Sequence, residues 1–412
     1  MVEMNPSKNP FSPGAGTQPP ELTGRSEILQ RSQTTLERVR LRRADRSCML
    51  VGLRGVGKTV LLNRIYQEAD GGGFKAVILE APEDKALAEL LAPALRRILL
   101  QLDTGAGARE KLHAAFGALR AFASTFKVSI GDIGIGIEPA RGMADSGALD
   151  NDVTDLLVAV GEAAAERGAA VALMIDELQY VREAGLAALL AGLHRVAQLN
   201  LPLVLFGAGL PQLVGLTGRA KSYAERLFEF RQIGPLVDAD ARAAVREPIE
   251  REGAAITEDA LSGIVRVTEG YPYFLQEWGS HTWLYATRSP FTADDVHGAT
   301  AEAIAALDRG FFRVRFDRLS RAERDYLRAM AELGPGPHRS SDIAARLSRT
   351  VEQVAPLRGK VIAKGMAYAP GHGDTAFTVP MFDAYMRRVM PDFAPRPPKR
   401  RTPIRVRQAR SR

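Results

Sequence analysis

The chain has 412 residues, enough for two or three domains, and a single cysteine, Cys48, which excludes an internal disulfide framework and favours a reducing, cytoplasmic compartment. Residues 1–317 hold 35 basic and 40 acidic side chains, whereas residues 318–390 hold 12 against 7 and the last 22 residues hold eight against one. The longest uncharged run, 196–218, is broken by polar residues and prolines, so no membrane span is predicted. The excess positive charge is C-terminal and favours contact with a polyanion there.

The N-terminal residues 1–18 are rich in proline and glycine and contain no apolar stretch of the signal-peptide type. They are expected to form a flexible leader. Further along the chain, an apolar run at 48–51 predicts a buried strand, and the amphipathic pattern at 60–69 predicts a helix. The residues between them, GLRGVGKT at 52–59, match the spacing of a phosphate-binding loop (Walker A): glycine, four residues, then glycine, lysine and threonine.

This loop predicts binding of ATP and Mg²⁺. Its glycines allow consecutive backbone N–H groups to point at a polyphosphate, and the following helix offers its positive N-terminus. Lys58 would reach the terminal phosphates, and the Thr59 hydroxyl would be a ligand of Mg²⁺. The predicted nucleotide-binding residues are Gly52, Leu53, Arg54, Gly55, Val56, Gly57, Lys58, Thr59 and Val60.

A second motif, VALMIDELQ at 171–179, consists of five apolar residues followed by Asp176 and Glu177. It predicts a buried parallel strand (Walker B) whose C-terminal end carries two carboxylates, at the edge where open α/β sheets bind ligands. Asp176 would bind Mg²⁺, mostly through water, and Glu177 would polarise the water that attacks the γ-phosphate. A further strand is predicted at 74–81 and two helices after it.

The segment 127–139 alternates apolar with small or polar residues, which predicts a β-hairpin with glycines in its turns. Asp150, Asp152 and Asp155 follow and could be mistaken for a metal site. We expect them instead to be solvated acids that open a helix at about 151–167, where the helix dipole favours negative charge.

A buried strand is predicted at 201–207, and the sequence there reads FGAGLP, with Gly207 and Gly209. In the order of PPELTGR at 19–25, the two motifs above, SYAERLF at 222–228 and EGYPYFLQE at 269–277, the chain resembles AAA+ ATPases of the origin-recognition (initiator) clade and the related archaeal and STAND-type ATPases. The resemblance implies a polar side chain after this strand that orients the attacking water, and Gly207 and Gly209 provide none. This departure implies an ATPase that is slow or stimulated by a partner.

The resemblance implies further site residues, each with a purely structural alternative. Gly24 and Arg25 would border the adenine, or simply start a helix. Arg226 would lie near the γ-phosphate, commonly that of a neighbouring subunit, or form a surface ion pair with Glu225 or Glu229. Pro272 would belong to a lid element that contacts the nucleotide; alternatively, the glycine and proline there cap one helix and begin the next.

The C-terminal half reads as two further modules. Residues 236–306 are helical and fit an all-α lid, with Thr257 as a helix cap. From about 318 the order of a helix, a short helix, a third helix and two β segments predicts a winged helix-turn-helix. The candidate nucleic-acid contacts are Arg349, Arg358, Lys360 and Lys364 on or near the third helix, His372 at the wing, and Arg400 and Arg401 in the tail. Pro356 starts or kinks the third helix, and winged helices also bind proteins.

The sequence thus predicts an α/β P-loop fold of the AAA+ type at 19–235, a helical lid at 236–306, a winged helix at 307–390 and a disordered basic tail at 391–412. The predicted function is an ATP-dependent switch that binds DNA or loads a partner on DNA, as a homo-oligomer or with a partner protein and without a membrane. The alternative is a STAND-like regulatory ATPase whose winged helix binds protein. A third reading, in which the tail binds RNA or an acidic partner non-specifically, stays open.

Overall fold

The computed structural model describes residues 4–14, 16–83, 85–104, 109–131 and 138–393. They form two compact units that divide between Ala305 and Ala306. Among the described residues, no helix combines the length and the apolar composition that a membrane crossing needs.

The N-terminal unit is built on a parallel sheet of five strands in the order β2, β3, β4, β1, β5. The strands are β1 (Ser47–Val51), β2 (Lys75–Glu80), β3 (Val171–Asp176), β4 (Leu203–Gly209) and β5 (Phe228–Gln232). Because all strands run the same way, the ends of β1 and β3 lie at one edge of the sheet, separated only by β4. The strands predicted at 48–51, 74–81, 171–176 and 201–207 are confirmed to within two residues.

Helices cover both faces of this sheet. They are α1 (Ser26–Arg40), α2 (Lys58–Gly71), α3 (Leu87–Leu102), α4 (Glu110–Thr125), α5 (Leu149–Glu166), α6 (Glu183–Gln198), α7 (Gln212–Ala220) and α8 (Ala224–Leu227). Residues of β1 alternate between two apolar cores: Met49 and Val51 pack with α3 to α6, while Cys48 and Leu50 pack with α1 and α2. Burial on both faces explains why these strands are apolar throughout rather than alternating.

Four more helices complete the N-terminal unit: α9 (Asp238–Arg251), α10 (Glu258–Thr268), α11 (Pro272–Tyr285) and α12 (Ala293–Leu307), the last crossing into the second unit. The predicted helices after 238 are therefore confirmed. Thr257 caps α10, because its hydroxyl accepts a hydrogen bond from the Ala260 N–H at 3.3 Å.

The expected flexible leader is instead packed against α11 over the described residues 4–14. Phe11 is only 4% exposed, and its ring lies over Gly279. The Asn9 amide donates to the Ser280 hydroxyl at 2.9 Å, and the Trp283 indole N–H donates to the Asn5 carbonyl at 2.9 Å. Proline and glycine content suggested disorder, but a single buried aromatic ring and these hydrogen bonds anchor the segment.

The β-hairpin predicted at 127–139 lies partly outside the described residues. In the described parts, 127–131 and 138–139, the backbone does not form strands. The alternation of apolar residues there reflects packing of Val128 and Ile130 against the core next to α4 rather than sheet pairing. The prediction was therefore wrong where it can be compared.

The C-terminal unit continues from α12 through a π-helical turn (Asp308–Phe312) into helices and a small antiparallel sheet in the order β6, β8, β7. Its elements are α13 (Arg313–Asp317), α14 (Arg321–Ala331), β6 (His338–Arg339), α15 (Ser340–Arg346), α16 (Val351–Ala363), β7 (Ala367–Tyr368), β8 (Asp374–Phe377) and α17 (Phe382–Val389). The predicted three helices and two β segments are present in this order, and α16 runs through Pro356.

Candidate nucleotide site

The phosphate-binding loop connects β1 to α2 at the C-terminal edge of the sheet. Gly55 and Gly57 have φ angles of 83° and 91°, a backbone region that L side chains rarely adopt. A Cβ atom on Gly52 would lie 2.1 Å from the Ile233 carbonyl oxygen, so only glycine fits there. A Cβ atom on Gly57 would meet nothing within 4 Å. Gly57 caps the N-terminus of α2, the kind of helix end that favours an anion.

Lys58 is the first residue of α2, and its side chain turns back over the loop. It is 8% exposed, and its Nζ donates to the Leu53 carbonyl at 2.8 Å. Burial lowers the pKa of Lys58 to about 8, although nearby Glu177 and Asp176 oppose this shift. A polyphosphate in the loop would supply the negative charge that this buried ammonium lacks.

Thr59, at the start of α2, and Asp176, at the end of β3, meet at the C-terminal edge of the sheet. The Thr59 hydroxyl donates to Asp176 Oδ2 at 2.6 Å, and Asp176 is 6% exposed. A hydroxyl and a carboxylate are hard oxygen ligands of the kind that Mg²⁺ takes beside phosphate oxygens. The residues present therefore fit Mg²⁺, with Thr59 and Asp176 as the side chains that would hold it.

Glu177 directly follows β3 in a left-handed conformation, with φ of 54°. Its backbone N–H donates to Asp176 Oδ1 at 2.7 Å, which helps to hold the Asp176 carboxylate in place. One carboxylate oxygen accepts a hydrogen bond from Arg54 of the phosphate-binding loop at 3.3 Å, and the other accepts from Gln179. Arg54 also donates to the Tyr180 hydroxyl at 2.7 Å.

Gln179 is a site residue that the sequence reading missed. It is 8% exposed; its amide nitrogen bonds Glu177 while its amide oxygen accepts from the Leu210 N–H, just beyond β4, at 2.9 Å. A Cβ atom on Gly209 would lie 2.8 Å from that amide oxygen, and one on Gly207 would lie 2.4 Å from both Leu178 and Met49. The two glycines at the end of β4 thus leave room for Leu178 and Gln179, which follow β3. The glutamine that ends the motif DELQ was the signal for this arrangement.

Gly24 and Arg25 lie beside the loop, at the start of α1. Gly24 has φ of 68°, and a Cβ atom there would lie 2.4 Å from the Asp240 carboxylate. The Arg25 guanidinium donates to the Gly234 carbonyl at 2.5 Å and to the Val56 carbonyl at 3.4 Å. Burial lowers the pKa of Arg25, opposed by Asp240. Arg25 therefore ties the loop to the connection after β5, and α1 does begin at the next residue.

The start of α11 contacts the tip of the loop. The Tyr273 N–H donates to the Gly55 carbonyl at 3.1 Å, and Pro272 occupies the first turn of α11. Gly270, with φ of 70°, packs so closely on the Leu236 carbonyl that a Cβ atom would lie 2.5 Å away. Glycine and proline thus have the structural role of ending one helix and beginning the next, next to the phosphate-binding loop.

Arg226 lies at the opposite edge of the sheet from this site. It precedes β5, whose first residue, Phe228, pairs with Ser47 at the start of β1. Arg226 is exposed, and no side-chain partner for it occurs among the described residues. Glu229, offered as its ion-pair partner, instead bonds Arg31 at 2.9 Å and also contacts Arg231. Arg226 therefore cannot reach the phosphate site of its own chain in this conformation.

The acids of the first turns of α5 are not uniformly solvated, which corrects the sequence reading. Asp152 is fully buried, and its carboxylate accepts hydrogen bonds from the N–H groups of Ser146 and Gly147 at 3.0 and 2.8 Å. Asp155 accepts from the Ala144 N–H at 3.2 Å. These two acids hold the preceding loop. Across the described part of the chain, no cluster of three metal-ligating side chains occurs.

The candidate nucleic-acid residues of the C-terminal unit divide into two groups. The Arg358 guanidinium donates to the Thr375 hydroxyl and the Asp374 carbonyl at 2.8 and 2.7 Å, and the Lys364 ammonium bonds the buried Glu323 at 2.8 Å. Both side chains therefore hold the unit together. Arg349 is half-buried and its Nε has no partner among the described atoms. Two others, Lys360 and His372, are exposed. The tail candidates Arg400 and Arg401 lie outside the described residues.

Comparison with known proteins gives two family matches. Residues 21–206 match the AAA ATPase domain family, and residues 309–386 match a domain of unknown function, DUF8462. No curated protein sequence matches the chain.

Three solved structures to which the chain is similar are distant from it in sequence. The Aeropyrum pernix Orc1 protein, solved in complex with DNA, is 15% identical, with a TM-score of 0.46 over 90% of this chain and 94% of its own. Cdc6p from Pyrobaculum aerophilum is 14% identical, with a TM-score of 0.42 over 95% and 99%. The Thermotoga maritima RuvB Holliday junction branch migration motor is 14% identical, with a TM-score of 0.43 over 86% and 92%.

The family match covers slightly less than half of the chain and includes both motifs of the site, from the phosphate-binding loop to β3 and β4. The predicted α/β P-loop fold is confirmed by the parallel sheet and by this match. Residues 21–206 accordingly match the AAA ATPase domain family, and they carry the loop and the two carboxylates of the candidate nucleotide site.

Proposed function

We propose that this protein is an initiator-like AAA+ switch that binds ATP with Mg²⁺, hydrolyses it slowly, and couples its nucleotide state to binding DNA or to loading a partner on DNA. The observation that carries the nucleotide part is the 2.6 Å hydrogen bond between Thr59 and Asp176. It joins the two motifs, which are more than a hundred residues apart in sequence, at the point where a phosphate-bound cation would sit. A cytoplasmic location belongs to the same proposal, supported by the lone cysteine, Cys48.

In this mechanism the side chains of the phosphate-binding loop bind the nucleotide, and the two carboxylates position the cation and the attacking water. Lys58 exchanges its hydrogen bond to the Leu53 carbonyl for one to a phosphate oxygen. Thr59 and Asp176 are the side chains that would hold Mg²⁺, and the ion would neutralise charge on the phosphates. Glu177 then orients a water for attack on the γ-phosphate. Glu177 must first release its donor Arg54, while Gln179 keeps the other carboxylate oxygen in place, and this required exchange supports slow turnover.

The direct test compares two variants. Lys58→Ala is expected to abolish ATP binding, because a buried cation facing the phosphates is lost. Glu177→Gln is expected to bind ATP with unchanged affinity and to release phosphate at least about a hundredfold more slowly. Binding is measured by equilibrium titration with a fluorescent nucleotide, and turnover by phosphate release. Phosphate release by Glu177→Gln at the wild-type rate would remove Glu177 from the catalytic role.

The DNA part of the proposal uses the C-terminal unit as a winged helix, supported by its order of elements and by exposed Lys360 and His372. The other five candidate residues do not contribute equally to this proposed DNA contact. Arg358 and Lys364 are engaged inside the unit, which leaves few basic groups on α16 for a major groove. The basic tail at 391–412 would then supply most of the phosphate contacts.

The second candidate function is a STAND-like regulatory ATPase whose winged helix binds protein. The exposed side of α16 favours it, because Val351, Ala355, Gly359 and Ala363 follow one another at intervals of four residues on the outer surface. Val351 is 42% exposed. An uncharged surface of this kind fits a protein partner better than a phosphate backbone.

Binding to duplex DNA at two salt concentrations, with and without residues 391–412, separates the two functions. The initiator-like function predicts residual, salt-dependent binding without the tail that falls in Lys360→Ala. The regulatory function predicts that removal of the tail abolishes binding while ATP binding is unaffected.

A further inference from the structure

The short connection between α1 and β1 carries a cluster of arginines. The net negative charge of residues 1–317 hides this cluster. Residues 38–46 read RVRLRRADR and contain five arginines and one acid, although the surrounding 317 residues are net acidic. Arg40, Arg42, Arg43 and Arg46 are all exposed. We call these four residues the arginine patch.

The one acid of this segment, Asp45, is already neutralised. Arg31 contacts it through two nitrogens at 2.9 and 3.0 Å, and Arg38 contacts it at 3.4 Å. The Arg31 guanidinium beside it lowers the pKa of Asp45 against the opposing effect of burial. Within the described residues, no side-chain partner is found for any of the four patch arginines. The patch therefore presents uncompensated positive charge.

A cleft of about 630 Å³ begins at the patch. Arg46, His194, Tyr223 and Arg226 are among the residues that line it, together with the paired Asp45. The His194 and Tyr223 rings are in contact, with centroids 4.6 Å apart and planes tilted by 32°. Burial, and next the nearby Asp150, raises the pKa of Tyr223, so its hydroxyl stays protonated and can donate to an anionic oxygen.

This surface lies at the opposite edge of the sheet from the ATP site. Arg46 immediately precedes β1 and the phosphate-binding loop immediately follows it, so about 16 Å of strand separates them. The patch is thus not a part of the nucleotide site.

We propose that the arginine patch and its cleft bind the phosphate backbone of a nucleic acid, as a contact surface separate from the C-terminal unit and the basic tail. The proposal deepens the DNA-binding part of the proposed function and rests on it. The planar guanidinium groups of arginines can donate two parallel hydrogen bonds to phosphate oxygens. Release of counterions from the nucleic-acid backbone drives such contacts. An acidic surface on a second copy of this chain fits less well, because protein interfaces need buried apolar anchors and the patch offers only Leu41.

The test uses the full chain and duplex DNA of arbitrary sequence, titrated at several salt concentrations. The variant Arg40→Ala/Arg42→Ala/Arg43→Ala removes three patch charges. If each arginine meets one phosphate, the slope of log K against log salt becomes shallower by about 2.7, and affinity at 0.1 M salt falls about tenfold or more. The matching triple Arg→Lys variant keeps the charge and is expected to bind within a few-fold of wild type.

A control variant removes the same charge from arginines that already have partners. Arg242, Arg246 and Arg251 pair with Asp238, Glu258 and Glu21 respectively. Their triple alanine variant is expected to keep the wild-type slope. Thermal unfolding of each variant checks that it is folded.

Three results would overturn the proposal. If the patch variant and the control variant lose affinity equally, only general net charge matters and the patch is not a site. If the patch variant keeps DNA affinity but loses self-association in sedimentation, the patch is an interface between copies. If wild-type protein does not bind duplex DNA at all, the DNA part of the proposed function fails together with the patch.

Discussion

Glu177 is held between two donors that come from different parts of the chain. Arg54 reaches it from the phosphate-binding loop, and Gln179 reaches it from two residues further along. Gln179 in turn accepts from the Leu210 N–H at the end of β4. One amide therefore links Glu177, the carboxylate proposed to orient water, to the end of β4.

We expect Gln179 to be a positioning residue for Glu177. Gln179→Leu keeps the side-chain volume but removes the donor, so Glu177 would lose its fixed orientation and kcat would fall about tenfold. ATP affinity should stay within about twofold, because Gln179 does not touch the phosphate-binding loop. The measurements are steady-state phosphate release and nucleotide titration.

A merely structural role of Gln179 would give a different pattern. Loss of its bond to the Leu210 N–H would then lower the unfolding temperature and ATP affinity together, with kcat unchanged. In the Glu177→Gln background, a positioning role also predicts that Gln179→Leu has no further effect on turnover. An equal additional loss in that background would contradict it.

The roles of residues in the phosphate-binding loop could be predicted from the sequence, because phosphate binding requires particular residue types at particular positions. Gly57 needs a positive φ angle, Lys58 must carry charge, and Thr59 must present a hydroxyl; the sequence spacing shows all three. The role of Gln179 was not predictable in the same way. It depends on the approach of Leu178, in the turn after β3, to Gly207 of β4, a long-range contact that no local pattern encodes.

Among the elements, the N-terminal segment is the clearest case in which packing overrides composition. Residues 4–14 read as a leader, yet Phe11 is buried against Gly279 of α11. The chain then continues past Thr59, since a Cβ atom on Gly16 would lie 3.1 Å from the Thr59 methyl carbon. The segment therefore connects α11 to the phosphate-binding loop.

Gly279→Ala tests this packing, because the expected change in the free energy of unfolding is opposite to the usual one for this substitution in a helix. In an ordinary helix interior the change stabilises by about 0.5–1 kcal/mol. Here the new methyl group would lie 2.7 Å from the Phe11 ring, so we expect the free energy of unfolding to fall by about 1–2 kcal/mol. The quantity is measured by urea denaturation.

The same substitution in a Phe11→Ala background completes a double-mutant cycle between Gly279 and Phe11. With the ring removed, Gly279→Ala should become stabilising, because only the gain in helix propensity remains. The exposed Lys8→Ala serves as the control on the same segment and should change stability by less than about 0.5 kcal/mol. Stabilisation by Gly279→Ala in the wild-type background would show that Phe11 is not seated there.

For the molecule as a whole, Arg226 raises a question of assembly. Its position before β5 places it at the sheet edge opposite the ATP site of its own chain. An arginine that completes a phosphate site must then act on a neighbouring copy, in a head-to-tail contact. Proteins that assemble this way associate when ATP is bound, so mass measurement in solution with ATP, with ADP and without nucleotide is the first observation to make.

Complementation between two inactive variants tests the arrangement more sharply. Lys58→Ala keeps Arg226 but cannot bind ATP, whereas Arg226→Ala keeps the ATP site but lacks the arginine. In an equimolar mixture that exchanges subunits, about a quarter of the sites would pair an intact ATP site with an intact arginine. We therefore expect the mixture to recover about a quarter of wild-type ATPase activity, although each variant alone is nearly inactive. Phosphate release from the mixture equal to the average of the separate variants would mean that Arg226 does not act between copies, and Arg226→Ala would then be expected to retain turnover when measured alone.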